Sequence, residues 1–67
     1  MDPVIGKYYF VQTILMKTPV SRKYVGYDNG DFYFRNDQGR RERWDITTLV
    51  GEDVNRNKGL SNESRVG

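Results

Sequence analysis

The chain has 67 residues, with 11 basic and 9 acidic side chains and a formal net charge of +2 at pH 7. It contains no His and no Cys, which removes the commonest general base, the thiolate nucleophile and the usual zinc ligands. No apolar run is long enough to span a membrane, and the N-terminus lacks the basic-then-apolar pattern of a signal peptide. We therefore expect a non-enzymatic protein in the cytoplasm, with one folded domain and no cofactor, metal or membrane contact.

Residues 7–17 are predicted to form the first strand, because aromatic and β-branched side chains are frequent there. Both alternating sets of side chains are apolar, so the strand either lies between two layers or bends. We place the bend at Gln12 and Thr13, since a bent strand lets a short sheet close into a barrel. Tyr8 and Tyr9 point to opposite faces of a straight strand, and one of them is expected at the surface.

Three further strands are predicted over residues 22–46, joined by two tight turns. Asn29-Gly30 suits a type I′ turn, which needs positive φ at both central residues. Asp37-Gln38-Gly39 suits a three-residue loop in which the glycine is left-handed. The sequence therefore predicts a meander of consecutive hairpins.

The two turns fix the cross-strand register, and the register sorts side chains onto two faces because side chains alternate along a strand. The first turn pairs Asp28 with Asp31, Tyr27 with Phe32, Gly26 with Tyr33, Val25 with Phe34 and Tyr24 with Arg35. The second turn pairs Asn36 with Arg40, Arg35 with Arg41, Phe34 with Glu42, Tyr33 with Arg43 and Phe32 with Trp44. One face then collects Val25, Tyr27, Phe32, Phe34, Trp44 and Ile46, with Glu42 as the charge in its middle. The opposite face collects Tyr24, Gly26, Tyr33, Arg35, Arg41, Arg43 and Asp45.

The segment after these strands changes character at Gly51. Residues 45–50 are predicted to form a single helical turn capped by Asp45, a short final strand, or one followed by the other. From Gly51 the composition is polar and contains no aromatic residue, so it cannot offset the entropy of ordering. We expect a small β-domain at residues 1–50 and a flexible, disordered polar tail at residues 51–67.

These elements predict an all-β fold, either a small barrel or a twisted antiparallel meander of four to five strands with a disordered C-terminal tail. The order of strand and turn residues also resembles that of known small barrels. The residues concerned are Val25-Gly26-Tyr27, Asn29-Gly30, Phe32-Tyr33-Phe34, Gln38-Gly39 and Asp45-Ile46 with Leu49. In this pattern, residues 20–50 resemble SH3-like and Tudor-like small barrels, so an SH3-like barrel is expected. Members of those families bind peptides, modified residues or nucleic acids, and the resemblance implies a binding module.

The arginine-bearing face is the candidate binding site. Its candidate residues are Tyr24, Tyr33, Arg35, Arg41 and Arg43. Arg35 and Arg41 are predicted cross-strand partners, and like charges in that position are destabilising. Guanidinium groups match phosphates and tyrosine rings stack on bases, the combination used for single-stranded nucleic acid. The structural alternative is that exposed arginines keep the sheet soluble and cover their aromatic neighbours.

Two functions fit such a face. The first is a nucleic-acid-binding module, in which the arginines contact phosphates while Tyr24 and Tyr33 stack on bases. The alternative is a protein–protein interaction module, a small adaptor or a phage-type inhibitor of a host protein, which uses the same face or the flexible tail to bind a partner such as an acidic protein surface. A homodimer formed through an exposed strand edge is a third expectation.

Overall fold

The computed structural model describes residues 2–45 and 48–59. Five antiparallel strands form one open sheet in the order β4-β3-β2-β1-β5, so β4 and β5 are its edges. The strands are β1 (Tyr8–Val11), β2 (Val20–Asp28), β3 (Asp31–Arg35), β4 (Arg41–Trp44) and β5 (Leu49–Glu52). Residues 54–59 form a short helix, α1. The predicted all-β class with five antiparallel strands is confirmed. Strands β1 to β4 follow one another as a meander, and β5 lies beside β1 at the opposite edge from β4.

Both predicted turns have the expected backbone. Asn29 and Gly30 have φ of 50° and 85°, the positive values of a type I′ turn, and Gly39 has φ of 82°. The Asn36 side-chain oxygen accepts hydrogen bonds from the backbone N–H of Gln38 at 3.0 Å and of Arg40 at 2.9 Å. This Asx arrangement closes the second loop and fixes the register of β3 against β4.

The register of β3 against β4 is the predicted one. The observed partners are Phe32 with Trp44, Tyr33 with Arg43, Phe34 with Glu42 and Arg35 with Arg41. Partners share a face of the sheet, so Phe32 and Phe34 lie on the inner face while Arg41 and Arg43 lie on the outer face. The parity argument is therefore correct for these two strands.

The register of β2 against β3 is correct only as far as Gly26. Beyond it a β-bulge shifts the pairing, so that Tyr24 pairs with Phe34 and Lys23 pairs with Arg35. The predicted pairs of Val25 with Phe34 and of Tyr24 with Arg35 are therefore wrong by one residue. Gly26 has φ of 150°, a value that L side chains rarely adopt, and it lets the strand take up the extra residue.

The core lies on the inner face and is mostly aromatic. Its buried members are Tyr9, Val11, Tyr24, Phe32 and Phe34, with Val20, Trp44 and Leu49 packed against them. The Tyr24 ring meets the Phe32 ring edge-on at 5.7 Å between centroids, a favourable geometry for aromatic pairs. Val25 is the residue at the bulge that has no partner in β3, and it is not part of this cluster. Tyr27 shares the inner face but remains 58% exposed.

The predicted long first strand is wrong, because β1 has four residues and ends before Gln12 and Thr13, where the bend is expected. The pairing of β1 with β5 shifts register between Phe10 and Val11. Residues Val20 to Lys23 pair with β1, and β2 pairs with β3 from Lys23 onward, so Lys23 has a partner on both sides. β1 ends at Val11 because its partner strand starts at Val20. The chain then turns, and Ile14 and Leu15 are 101% and 92% exposed. Tyr9 is buried and Tyr8 is only partly covered, which agrees with the expectation that one of them lies at the surface.

The chain beyond β4 is ordered further than predicted. The Thr48 N–H donates to the Asp45 carbonyl at 3.0 Å in a turn, and β5 follows at once, so the turn-then-strand alternative is the observed one. The predicted domain end at residue 50 falls inside β5, and the predicted disorder is wrong for residues 51–59. The rest of the predicted tail, residues 60–67, and the inner-face position of Ile46 lie outside the described residues.

Candidate functional site

A row of basic side chains crosses the outer face of the sheet. Lys23 in β2 pairs with Arg35 in β3, and Arg35 pairs with Arg41 in β4. Neighbouring strands lie about 4.8 Å apart, so successive members of the row are adjacent. Among residues 2–45 and 48–59, none of the three forms an ion pair. We call Lys23, Arg35 and Arg41 the cationic row.

A tyrosine lies beside the row and is already engaged by one of its members. The Arg41 guanidinium carbon lies 4.0 Å from the centroid of the Tyr33 ring, a cation–π contact. Arg43, the cross-strand partner of Tyr33, has a 70% exposed side chain, and its Nε lies 3.8 Å from an Asp31 carboxylate oxygen. An exposed pair at that distance contributes little to stability. Tyr33, Arg41 and Arg43 therefore form a cationic patch with one aromatic ring, in which both arginines are exposed to solvent.

The structure brings four of the five predicted site residues together on the outer face: Tyr33, Arg35, Arg41 and Arg43. Tyr24 is not among them. It is 6% exposed and belongs to the core, so the prediction that it lies on the basic face is wrong. The bulge exchanges it for Lys23, a basic residue that the sequence reasoning missed. The signal was available, because an isolated glycine within a strand pattern, here Gly26, suggests a bulge.

Helix α1 contributes a further cation to this face. The Arg56 guanidinium carbon lies 3.9 Å from the centroid of the Tyr8 ring. One of its nitrogens donates to the Asp37 carboxylate at 3.0 Å, and another to the Ser21 hydroxyl at 3.3 Å. The hydrogen bond to Asp37 is the largest of the effects that raise the pKa of Arg56 above its ordinary value. Arg56 is therefore a permanently charged group in a fixed position.

Asn57 attaches the same helix to Tyr8, the first residue of β1. Its side-chain oxygen accepts a hydrogen bond from the Tyr8 N–H at 2.7 Å, and its side-chain nitrogen donates to the Tyr8 carbonyl at 3.0 Å. The amide thus imitates a strand partner for Tyr8. The sequence reasoning placed residues 51–59 in a disordered tail and so missed both Arg56 and Asn57. Their polar side chains gave no hydrophobic pattern from which docking could be predicted.

A cleft of about 250 Å³ lies between the end of the cationic row and α1. Its charged lining consists of Lys23, Arg35, Arg56 and Asp37, and the Tyr8 ring lies beside them. The Arg35 guanidinium is held there by a hydrogen bond of 2.6 Å to the Gly39 carbonyl. We call this feature the cationic cleft.

A larger cleft of about 690 Å³ has the opposite chemistry. Tyr24, Tyr27, Phe32, Leu49 and Val50 line it, together with Asp2 and Pro3 of the N-terminal segment. Burial is the main reason why the pKa of Tyr24 is raised, and the neighbouring Tyr27, Tyr9 and Asp2 add to it. The phenol of Tyr24 is therefore a neutral part of an aromatic wall, and the basic side chains belong to the other cleft.

Glu42 is a charged group on the inner face, as the sequence predicts. Its carboxylate accepts hydrogen bonds from Arg22 Nε at 3.1 Å, Trp44 Nε1 at 3.2 Å and Asn36 Nδ2 at 3.2 Å. Burial raises the pKa of Glu42, but these hydrogen bonds and the charge of Arg22 outweigh it and lower the pKa overall. Glu42 is therefore an ionised anchor at the margin of the core.

The fold and the site define an antiparallel five-stranded protein with an aromatic core and a cationic outer face. Within residues 2–45 and 48–59, no three potential metal ligands of the types His, Cys, Asp and Glu come together. No helix in this part of the chain is long and apolar enough to cross a membrane. No protein-family model matches the chain, and comparison with curated proteins and with solved structures gives no match either. The resemblance to SH3-like barrels stays a prediction.

Proposed function

We propose that this protein is a non-enzymatic module that binds single-stranded nucleic acid through the outer face of β2, β3 and β4. The observation that carries the proposal is the cationic row. Like charges directly opposite each other on adjacent strands destabilise a sheet, and here Lys23, Arg35 and Arg41 repeat that arrangement across three strands. Phosphate groups would relieve this repulsion, so the energy lost in the free protein is regained in the complex.

The patch beside the row supplies the second requirement of such a module. Bases of a single strand stack on aromatic rings and on guanidinium planes with little regard to sequence, and one stacked base contributes about 1–3 kcal/mol. The Arg41 guanidinium covers one side of the Tyr33 ring, so a base would stack on the other side of the ring or on the guanidinium itself. Arg43 stands next to it with most of its side chain in solvent. The expected complex therefore combines phosphate contacts along the row with stacking on the patch.

Fluorescence anisotropy with a labelled single-stranded oligonucleotide tests the proposal over a range of salt concentrations. Four basic side chains, Lys23, Arg35, Arg41 and Arg43, are available for phosphates. If all four make contact, log K should fall with log salt with a slope of about −3, at about −0.7 for each contact on a single strand. If neither single-stranded DNA nor single-stranded RNA binds at low salt, the proposal is ruled out.

The competing function is binding to an acidic protein surface, which would use the same basic side chains. A polyglutamate of matched length separates the two, since it offers negative charge without bases to stack. Nucleic-acid binding predicts that Tyr33→Ala weakens the oligonucleotide complex and leaves the weaker polyglutamate complex unchanged. Equal affinity for both polymers, with equal insensitivity to Tyr33→Ala, would favour an acidic protein partner.

A further inference from the structure

We infer that the cationic cleft is a binding site for a phosphate monoester dianion, and that in the nucleic-acid complex it holds the terminal phosphate of the strand. The second statement rests on the proposed function, whereas the first rests on the cleft alone. The lining of Lys23, Arg35, Arg56 and Asp37 is the observation that carries it.

The charge of the cleft fits a dianion better than a monoanion. Three basic side chains line it against one carboxylate, and that carboxylate, Asp37, is already paired with Arg56. The surplus is therefore two positive charges, the difference between three and one. A phosphate monoester carries about −1.5 to −2 at pH 7, while an internal phosphodiester of a strand carries a single negative charge. A terminal phosphate would neutralise the cleft, and an internal one would leave it positive.

Hydrogen-bond donors remain free for three phosphate oxygens. A guanidinium has five N–H donors. Among residues 2–45 and 48–59, the Arg35 guanidinium donates one hydrogen bond, to the Gly39 carbonyl, and the Arg56 guanidinium donates two, to Asp37 and Ser21. Within the described part of the chain, the Lys23 ammonium forms no ion pair. The cleft thus offers two guanidinium groups and one ammonium group whose donors are largely unused.

The two guanidinium groups are held in place before any ligand arrives. Arg56 stacks on the Tyr8 ring at 3.9 Å and is bonded to Asp37 at 3.0 Å. Arg35 is bonded to the Gly39 carbonyl at 2.6 Å, in a loop closed by the Asx arrangement. Side chains that are already ordered lose less entropy when they bind, so more of the interaction energy appears as affinity.

The cleft is continuous with the proposed nucleic-acid path. Lys23 and Arg35 belong both to the cleft and to the cationic row, and Arg41 follows Arg35 on the next strand. At the other end of the cleft, α1 lies against Tyr8 and blocks the continuation of the row over β1. A strand lying along the row would therefore end in the cleft, which is the position where its terminal phosphate would lie.

The test uses the full chain and one oligonucleotide in three forms: with a 5′-phosphate, with a 3′-phosphate and with neither. One phosphorylated end should tighten binding about tenfold or more, the size expected of charge-assisted hydrogen bonds. The preference is measured as the dissociation constant of the unphosphorylated oligonucleotide divided by that of the preferred phosphorylated one. Lys23→Gln should abolish this preference. Lys17→Gln makes the same charge change in the loop before β2 and should keep the ratio. Thermal melts confirm that both variants fold.

A second measurement makes failure of the cleft distinguishable from failure of the proposed function. Inorganic phosphate is titrated into the labelled protein, with NMR shifts read at Tyr8, Lys23, Arg35 and Arg56. If all three oligonucleotides bind equally and phosphate leaves these signals unmoved, the cleft proposal is overturned and nucleic-acid binding stands. If phosphate moves them but no oligonucleotide binds, the monoester site stands and its placement on a nucleic acid is overturned. A phosphoserine peptide that binds in place of the oligonucleotide would likewise assign the site to a phosphoprotein.

Discussion

The two faces of the sheet treat charged side chains in opposite ways. On the inner face, Glu42 is surrounded by hydrogen-bond donors from Arg22, Asn36 and Trp44. On the outer face, the cationic row lies side by side with no ion pair in the described part of the chain. The inner charge is satisfied by the protein itself because it borders the core, where an unpaired charge is costly. Arg43 and Arg56 on the outer face have carboxylate partners, whereas the charges of the cationic row are available to a ligand.

The largest expected effect is a difference in stability between two variants, each with one of two adjacent β3 residues truncated to alanine. Phe34 is fully buried in the core, and Phe34→Ala should lower the free energy of unfolding by about 3–5 kcal/mol. A domain this small has little stability to spare, so the variant should be unfolded at room temperature. Tyr33→Ala removes a ring of the same size from the outer face and should leave the fold intact. Circular dichroism during thermal unfolding measures the difference. Equal melting temperatures for the two variants would contradict the prediction.

The next largest effect concerns the bulge that decides which side chains reach each face. A Cβ at Gly26 would meet nothing within 4 Å, but its φ of 150° strains any L residue. Gly26→Ala should therefore cost about 1–3 kcal/mol through the backbone alone. Gly51, which has equally open surroundings and no positive φ, provides the matched control, and Gly51→Ala should cost less. Urea unfolding of both variants measures the difference, and equal losses would contradict the strained-bulge account.

The bulge also marks how far the sequence predicts this fold. Turn chemistry is local, so Asn29-Gly30 and Gly39 were sufficient to predict both hairpins and the pairing of β3 with β4. The bulge depends on how β2 fits between β1 and β3, which is a tertiary effect. It places Tyr24 on the inner face and leaves Val25 without a partner in β3. The site inherited the same error, because the row gained Lys23 only through the shifted register.

Helix α1 shows a second limit of the same kind. Arg56 docks on Tyr8 through a cation–π contact, and Asn57 docks on it through two hydrogen bonds across 49 sequence positions. A segment held by polar contacts carries no hydrophobic periodicity, and its low apolar content was interpreted as disorder. The cationic cleft therefore could not be predicted from the sequence, whereas the positions of Tyr33, Arg35, Arg41 and Arg43 on the outer face could.

A smaller effect is expected at Glu42, where the inner face should respond to pH. Its pKa in the folded protein lies below its ordinary value of 4.5. The folded state then binds fewer protons than the unfolded state, so the stabilisation is present above pH 4.5 and is lost as the pH falls through the folded pKa. Glu42→Gln should cost about 1–2 kcal/mol at pH 7 and flatten this acid limb. Glu52→Gln, at an exposed pair with Lys7, should change neither, as urea unfolding at pH 7 and pH 3 would show.

The smallest effect is the most direct test of the outer face, because its sign is unusual for a sheet position. Lys23→Glu places a carboxylate opposite Arg35 and turns repulsion into attraction, so the protein should become more stable by about 0.2–1 kcal/mol. The gain should shrink in high salt, since exposed charges are screened, while oligonucleotide binding should be lost. Lys17→Glu makes the same charge change in the preceding loop, away from any strand partner, and should leave the unfolding free energy unchanged. If Lys23→Glu instead destabilised the fold, the row would be a structural feature of β2, and its charge would no longer indicate a ligand.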